Sequence, residues 1–208
     1  MNAARPLAAH RLAWLLLAAL ALGALPAHAQ DPGQAVAPLD WRAEDVNGRA
    51  VDTKSFRGKL LLVFINAPAT KGKARALTEQ LAVRYGDHAG LGQLTIVDLS
   101  EAPLTWRGAE TISGTVSARV REAQAWTVEN LQKTLAQHHK PPIEGLEARL
   151  HVVLDWDGEL VTRYRPWDTA RTITVALIDK EGRPLANYRV DQRDELFAAI
   201  DDQLEKAP

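Results

Sequence analysis

Leu60 to Ile65, LLLVFI, is an unbroken apolar run, and Gln93 to Ser100, QLTIVDLS, reads as a second buried strand. Runs of this length without alternation predict strands buried on both faces. Between them Ala74, Leu77, Leu81 and Tyr85 recur at helical spacing, so a helix is expected to open at Pro68 and Thr70 and to end in the stretch from Gly86 to Gly92. Three further strands are expected at 149–156 (RLHVVLDW), 172–179 (TITVALID) and 184–190 (PLANYRV). Val116, Val120, Trp126, Leu131 and Leu135 mark one face of a helix over 115–139, stopped by Pro141-Pro142, and Leu196, Phe197, Ile200 and Leu204 mark a last helix over 193–206. Glu101 to Gly114 has no clear period and is expected to be a loop. Ahead of the first strand, Asn47-Gly48 predicts a β-hairpin. This order of elements predicts one α/β domain over 39–208, with a central, mainly parallel sheet and helices on both faces. Residues 30–38, with Pro32, Gly33 and Pro38, read as an extended lead-in.

Two stretches resemble each other. Asp155, Gly158, Tyr164 and Arg165 in LDWDGELVTRYR match Asp179, Gly182, Tyr188 and Arg189 in IDKEGRPLANYR. Two copies do not make a solenoid. The reading is two strands that each end in an Asp-Gly turn. The ligand count falls short of a calcium loop.

The first residues have another character. Arg5 and Arg11 precede an almost pure Leu/Ala stretch, Leu12 to Leu25, and Ala27-His28-Ala29 follows as an A-x-A pattern. This predicts a signal peptide over 1–29 and release into a bacterial periplasm, with no membrane contact after cleavage; a retained anchor is the alternative. Loss of the two arginines would take the net charge from −1 to −3, a balance that argues against nucleic-acid binding. The chain has 208 residues and no cysteine. Thiol catalysis, thiolate metal sites and disulfide exchange are therefore excluded, and an exported fold must hold together by packing alone.

Several ordered strings resemble one known class. DVNGRAVDTKSFRGKLLLVFINA is similar to the opening of periplasmic thioredoxin-like proteins of the TlpA and ResA type, and HVVLDWDGELVTRYR and TITVALIDKEGRPLANYRV are similar to that class's later strands. The resemblance covers roughly 39–206 and implies a thioredoxin-like fold with an N-terminal β-hairpin extension. It also implies that the class's C-x-x-C pair would fall on Ala69 and Gly72 and its cis-proline at Ile173, so both redox features are lost here. The chain resembles more closely the exported YtfJ-type family, whose members look like thioredoxin folds with a Lys/Arg-containing turn in place of the pair. That resemblance brings no mechanism with it.

The junction after the first buried strand keeps one physical property. A helix N-terminus offers unpaired N–H groups and partial positive charge, and so attracts anions. Lys54 to Arg75 contains six basic residues and no acidic one: Lys54, Arg57, Lys59, Lys71, Lys73 and Arg75. Thr70, Lys71, Gly72, Lys73 and Arg75 are thus candidates for binding a small anion or a periplasmic partner. A solvated basic face, balancing the acidic last helix, is the plainer reading. Ala67 stands where a phosphate-binding P-loop needs glycine.

No other chemistry stands out. His88, His138, His139 and His151 fall in no metal-ligand spacing, the serines in no nucleophile pattern, and no carboxylate pair marks a dyad. Asp98 sits where α/β sheets place ligands, or else caps a strand end. Trp106, Trp126, Trp156 and Trp167 either pack loops and core or line an apolar groove. No catalytic residue, metal or cofactor is expected. The leading expectation is a binding or accessory module without thiol redox activity, with a non-thiol enzyme at the sheet's C-terminal edge as the alternative.

Overall fold

The computed structural model describes residues 37–164 and 166–206; the Lys71 side chain lies outside that description. The expected signal peptide over 1–29 and the lead-in over 30–36 also lie outside the described residues.

The chain opens with a hairpin, β1 (Arg42–Glu44) and β2 (Ala50–Asp52). After a 3-10 turn over Thr53–Phe56 comes the central strand β3 (Leu60–Asn66), then a short turn over Pro68–Thr70 and α1 (Lys71–Tyr85). Next are β4 (Leu91–Asp98), α2 (Leu104–Ser113), α3 (Thr115–Gln137), α4 (Leu146–Arg149) and β5 (Leu150–Asp155). The chain closes with α5 (Glu159–Tyr164), β6 (Thr174–Ile178), β7 (Pro184–Arg189) and α6 (Arg193–Glu205).

The five-stranded sheet has the order β5-β4-β3-β6-β7. β3, β4 and β5 are parallel, β6 runs antiparallel to β3, and β7, antiparallel to β6, runs with the other three; the sheet is mixed, with four of its five strands in one direction. The reason lies in the connection after β5. The connection over 156–173 is long enough for a crossover, but a parallel return must also carry the chain back along the sheet. The six residues of α5 rise only about 9 Å at 1.5 Å each, short of a strand's length. The chain stays at the C-terminal end of the sheet and β6 must run down it.

All seven residues of β3 are buried because both its faces are covered. Leu61, Val63 and Ile65 point to a core closed by Trp41 and Val51 from the hairpin and by Val161 and Tyr164 of α5. Leu60, Leu62 and Phe64 point to the other, closed by Leu77, Leu81 and Tyr85 of α1 and by Leu196 and Ile200 of α6. A smaller cluster joins Leu131 and Leu135 of α3 to Ile143 and Leu146. Burying a Leu-sized side chain is worth about 1.5–3 kcal/mol, so these faces dominate the fold's stability.

The hairpin turn is fastened to the far edge of the sheet. Val46 N–H donates to Val152 O (2.9 Å), on the open side of β5. The Asp45 carboxylate, with no side-chain exposure, accepts from Asn47 N (2.9 Å), Arg49 N (3.0 Å), Arg49 Nε (2.8 Å) and His151 Nδ1 (3.1 Å), and pairs with Arg49 Nη2 (2.7 Å). Burial alone would raise the Asp45 pKa, but the hydrogen bonds from Arg49, His151 and Asn47 hold it below the ordinary aspartate value. His151 is thus a satisfied strand residue at the edge of the core.

One expectation needs correction. Residues 104–113 form a helix, not a loop. None of its residues is buried, and Leu104 (84% exposed) and Ile112 (86%) face solvent, so no core-facing period marks it in the sequence. Tertiary ties hold it instead. Arg107 pairs with Asp157 (3.0 Å) and donates to Trp156 O. The Glu110 carboxylate caps the start of α3, accepting from Val116 N (2.8 Å), Ser117 N (3.0 Å) and the Ser117 hydroxyl. Gly114, with φ +60°, makes the bend between the two helices.

The near-repeat is, as expected, two strands that each end in a glycine turn, at Gly158 (φ +73°) and Gly182 (φ +81°), and the copies part only after it. Past the first, residues 159–164 are helical rather than a continuing strand. There Asp155 accepts from Val161 N (2.8 Å), and Val161 and Tyr164 bury together at i, i+3. Past the second, Asp179 accepts from Arg183 N (2.7 Å) and Nε (2.8 Å), which closes a tight turn and sends the chain back as β7.

Candidate functional site

The site lies where β3 hands over to α1 at the C-terminal end of the sheet. Asn66 is the last residue of β3, and the 3-10 turn of Pro68–Thr70 lifts the chain into the helix. Thr70 is 2% exposed, and its single hydroxyl proton is shared between Ala67 O (3.1 Å) and Thr169 O (3.2 Å) while its oxygen accepts from Ala67 N (3.2 Å). Thr70 is therefore a tie inside the junction, not a cap. The first turn of α1 has no side-chain cap and no acidic residue.

The segment 166–173, which precedes β6, is laced across this junction. Thr169 O takes the Thr70 bond, Arg171 O accepts from Lys73 Nζ (2.8 Å), and Thr169 Oγ1 donates to Asp98 Oδ2 (2.7 Å). The other Asp98 oxygen accepts from Ser100 N (3.0 Å) and Ser100 Oγ (2.6 Å). Asp98 thus closes the end of β4 and anchors the 166–173 segment; both its oxygens are committed to those tasks.

The candidates do not all converge. Ala69 and Gly72 are exposed, and a Cβ added at Gly72 would meet nothing within 4 Å. Ile173 is fully buried in the α1/α6 core. Arg75 lies along α1, pairs with Glu79 (2.7 Å) and covers the half-exposed Trp126 ring of α3 with its guanidinium 4.8 Å from the centroid. Lys54 pairs with Asp40 (2.9 Å), and Arg57 Nη2 reaches Leu39 O (3.5 Å). The basic run is therefore spread among separate partners, and Lys73 is the described basic side chain that reaches the 166–173 segment.

Three participants were not singled out in the sequence. Thr169 and Arg171 come from a stretch with no period. Asn66 is one polar residue ending an apolar run. It is 8% exposed, and its Oδ1 is buried with no hydrogen-bond partner. Among the described residues only Arg57 Nη1 shares that condition. The tryptophans do not line one groove: Trp126 sits under Arg75 on α3, whereas Trp167 stacks near Arg189. Among the described residues no three His, Cys, Asp or Glu side chains are grouped to hold a metal, and no helix is long and apolar enough to cross a membrane.

No family model matches the chain, and no curated protein matches it in sequence. Solved structures do match in fold. The pneumococcal exposed lipoprotein thioredoxin Etrx1 of Streptococcus pneumoniae aligns at TM-score 0.50 and 17% identity, over 79% of this chain and 99% of its own. A protein of Neisseria meningitidis described as a thioredoxin aligns at TM-score 0.50 and 16% identity, over 84% and 93%. A Chlorobium tepidum protein described as the thiol:disulfide interchange protein DsbE aligns at TM-score 0.50 and 18% identity, over 80% and 94%. At these identities the likeness concerns the fold, and the fold is thioredoxin-like α/β with an N-terminal hairpin; the chain carries that fold without a cysteine.

Proposed function

We propose that this chain is an exported thioredoxin-fold protein that does no thiol chemistry and serves as a binding or accessory module, with the β3–α1 junction as its contact surface. The observation that carries the reading is the pairing of a thioredoxin-like fold with an exposed junction that bears Ala69 and Gly72 and no sulfur. Of the expected residues, Gly72, Lys73 and Arg75 are exposed and would form the surface beside Lys71, while the buried Thr70 ties it from beneath to Thr169. A periplasmic address fits the A-x-A leader pattern and the description of one fold neighbour as an exposed lipoprotein. Membership of the YtfJ-type family is the finer assignment, supported by the lost pair and by the two glycine turns at Gly158 and Gly182.

The absence of native thiols makes the test simple. Ala69→Cys or Gly72→Cys introduces a single attachment point for a photo-crosslinker, with Glu129→Cys on the exposed side of α3 as control. In periplasmic extract, a defined adduct from positions 69 and 72 that is missing from position 129 supports the reading. Equal labelling from all three positions, or none from the junction, removes its protein-partner form.

A further inference from the structure

We infer that Asn47, in the hairpin turn, is a self-modification site: it loses ammonia to attack by Gly48 and becomes aspartate or isoaspartate, and the fold gates this step through the buried Gln124. The change is one-way, and it unfastens the hairpin from α3 and β5. It is independent of the junction's role.

Of the chain's five asparagines, Asn47 alone precedes a glycine. Asparagine is a thermolabile residue, and the residue after it controls how readily it reacts. Gly48 has no Cβ, so its backbone N approaches the Asn47 side-chain carbonyl unhindered. The bond from Gly48 N to Asn47 Cγ forms and the Cγ–Nδ2 bond breaks. The amide leaves as ammonia, carrying the proton that Gly48 N gives up. Water then opens the cyclic imide at either carbonyl. One opening leaves aspartate; the other leaves isoaspartate, with the chain running through Cβ and Cγ. Asn47 and Gly48 are both exposed, so water reaches the turn. Ala67, Leu131 and Tyr188 put a Cβ in the way of the same attack at Asn66, Asn130 and Asn187.

The fold holds both reacting groups. Gly48 N–H donates to Asp45 O (2.9 Å), and Asn47 Nδ2 donates to Gln124 Oε1 (2.9 Å). Attack requires both bonds to break, so opening of the turn sets the rate in the folded protein. The same bonds give the product its effect. Gln124 is 6% exposed on α3, and its Nε2 donates to Leu150 O (2.7 Å) at the start of β5. A carboxylate at position 47 has no hydrogen to give, so the Gln124 oxygen loses its donor. Turning the Gln124 amide over moves the mismatch to Leu150 O. Isoaspartate adds a backbone atom inside the 45–49 turn. There Asp45 N–H donates to Arg49 O (2.9 Å) and Arg49 N–H to Asp45 Oδ1 (3.0 Å), a fit made for the shorter chain. Val46, whose N–H meets Val152 O on β5, belongs to the same turn.

The test ages protein expressed from the full-length chain at mildly alkaline pH, folded and in urea, and follows each asparagine by peptide mass mapping and an isoaspartyl methyltransferase assay. In urea, conversion is expected at Asn47 ahead of Asn66, Asn130 and Asn187. In the folded protein Asn47 should convert about tenfold or more slowly, the factor set by two hydrogen bonds that must open first. Gln124→Ala frees the Asn47 amide and should speed the folded-state conversion about two- to tenfold. Asn47→Asp fixes one product in place; it should lower Tm by about 2–10 °C and speed amide exchange at Val46. If Gln124→Ala does not fold, the folded-to-urea rate ratio and Asn47→Asp still decide. Conversion in urea no faster at Asn47 than at the other asparagines overturns the inference, as do equal rates folded and in urea. So does an unchanged rate in folded Gln124→Ala, or an Asn47→Asp protein with the wild-type Tm and wild-type exchange at Val46.

Discussion

Asp45→Ala is the sharpest single perturbation of this fold. The carboxylate is wholly buried and gathers Asn47 N, Arg49 N, the Arg49 guanidinium and His151 Nδ1 around it. Removing one partner of a buried ion pair costs about 3–5 kcal/mol, because the other charge is stranded. Arg49 keeps 33% side-chain exposure and its bonds to Glu147 O (3.3 Å) and Leu150 O (3.1 Å), so the loss belongs at the lower end, about 3 kcal/mol. For a domain of this size each kcal/mol moves Tm by about 2–4 °C, giving a fall of about 6–12 °C. Urea unfolding followed by tryptophan fluorescence measures it directly. The pH dependence carries a sign. The folded carboxyl titrates below the ordinary 3.8, so its contribution is complete above that value and is lost as pH falls through the depressed folded pKa. The stability gap between wild type and Asp45→Ala should hold steady from neutrality to about pH 4.5 and close below 3.8. A loss under about 1 kcal/mol, or a gap that persists unchanged into strong acid, would refute the account of a charged, engaged Asp45.

Four smaller outcomes follow from the same contacts. Thr70→Val keeps the shape and removes the hydroxyl that joins Ala67 to Thr169; it should cost about 1–2 kcal/mol and make the 166–173 segment more susceptible to limited proteolysis. Glu110→Ala removes the cap of α3 and should cost about 1 kcal/mol, with helicity by circular dichroism as the readout. Burial would raise the Glu110 carboxyl, yet the Ser117 and Val116 bonds hold it below its usual value, so this contribution also disappears as pH falls through the depressed pKa. Gly182→Ala must tolerate φ +81° and a Cβ 1.6 Å from Arg57 Nη1; a loss of roughly 2 kcal/mol in chemical denaturation is expected. Leu104→Ser and Ile112→Ser touch only solvent and should leave stability within about 0.5 kcal/mol in the same assay.

The parts of the fold that could be read in the sequence are those whose side chains face a core. β3 and β4 declared themselves through runs such as Leu60 to Ile65, and α1 through Leu77, Leu81 and Tyr85, because burial imposes a period or fills every position. α2 did not, since its apolar residues Leu104 and Ile112 face water and its stability comes from Arg107 and Glu110 reaching elsewhere. The direction of β6 was hidden because it depends on the shortness of α5, and residues 159–164 share their motif with a stretch that becomes a strand. The junction was found from the resemblance, but its ties were not. Thr70 and Thr169 are 99 positions apart, and His151 meets Asp45 across 106, distances at which a lone sequence carries no signal. Asn66 left only one trace, a polar side chain where the apolar run ends.

The placement of β5 has a consequence for how the chain assembles. Between Asp98 and Leu150 the chain builds α2, α3 and α4 before the strand that pairs with β4 is even reached. Closing so long a loop is entropically costly, and contacts of high sequence separation form slowly. β5 takes its outer partners from Val46, Arg49 and Asp45, which come from the hairpin near the start of the domain. The hairpin turn and β5 therefore form one cooperative unit at the sheet's margin. Because β5 is an edge strand, its amides are expected to exchange ahead of those of β3, which is paired on both sides and buried along its whole length.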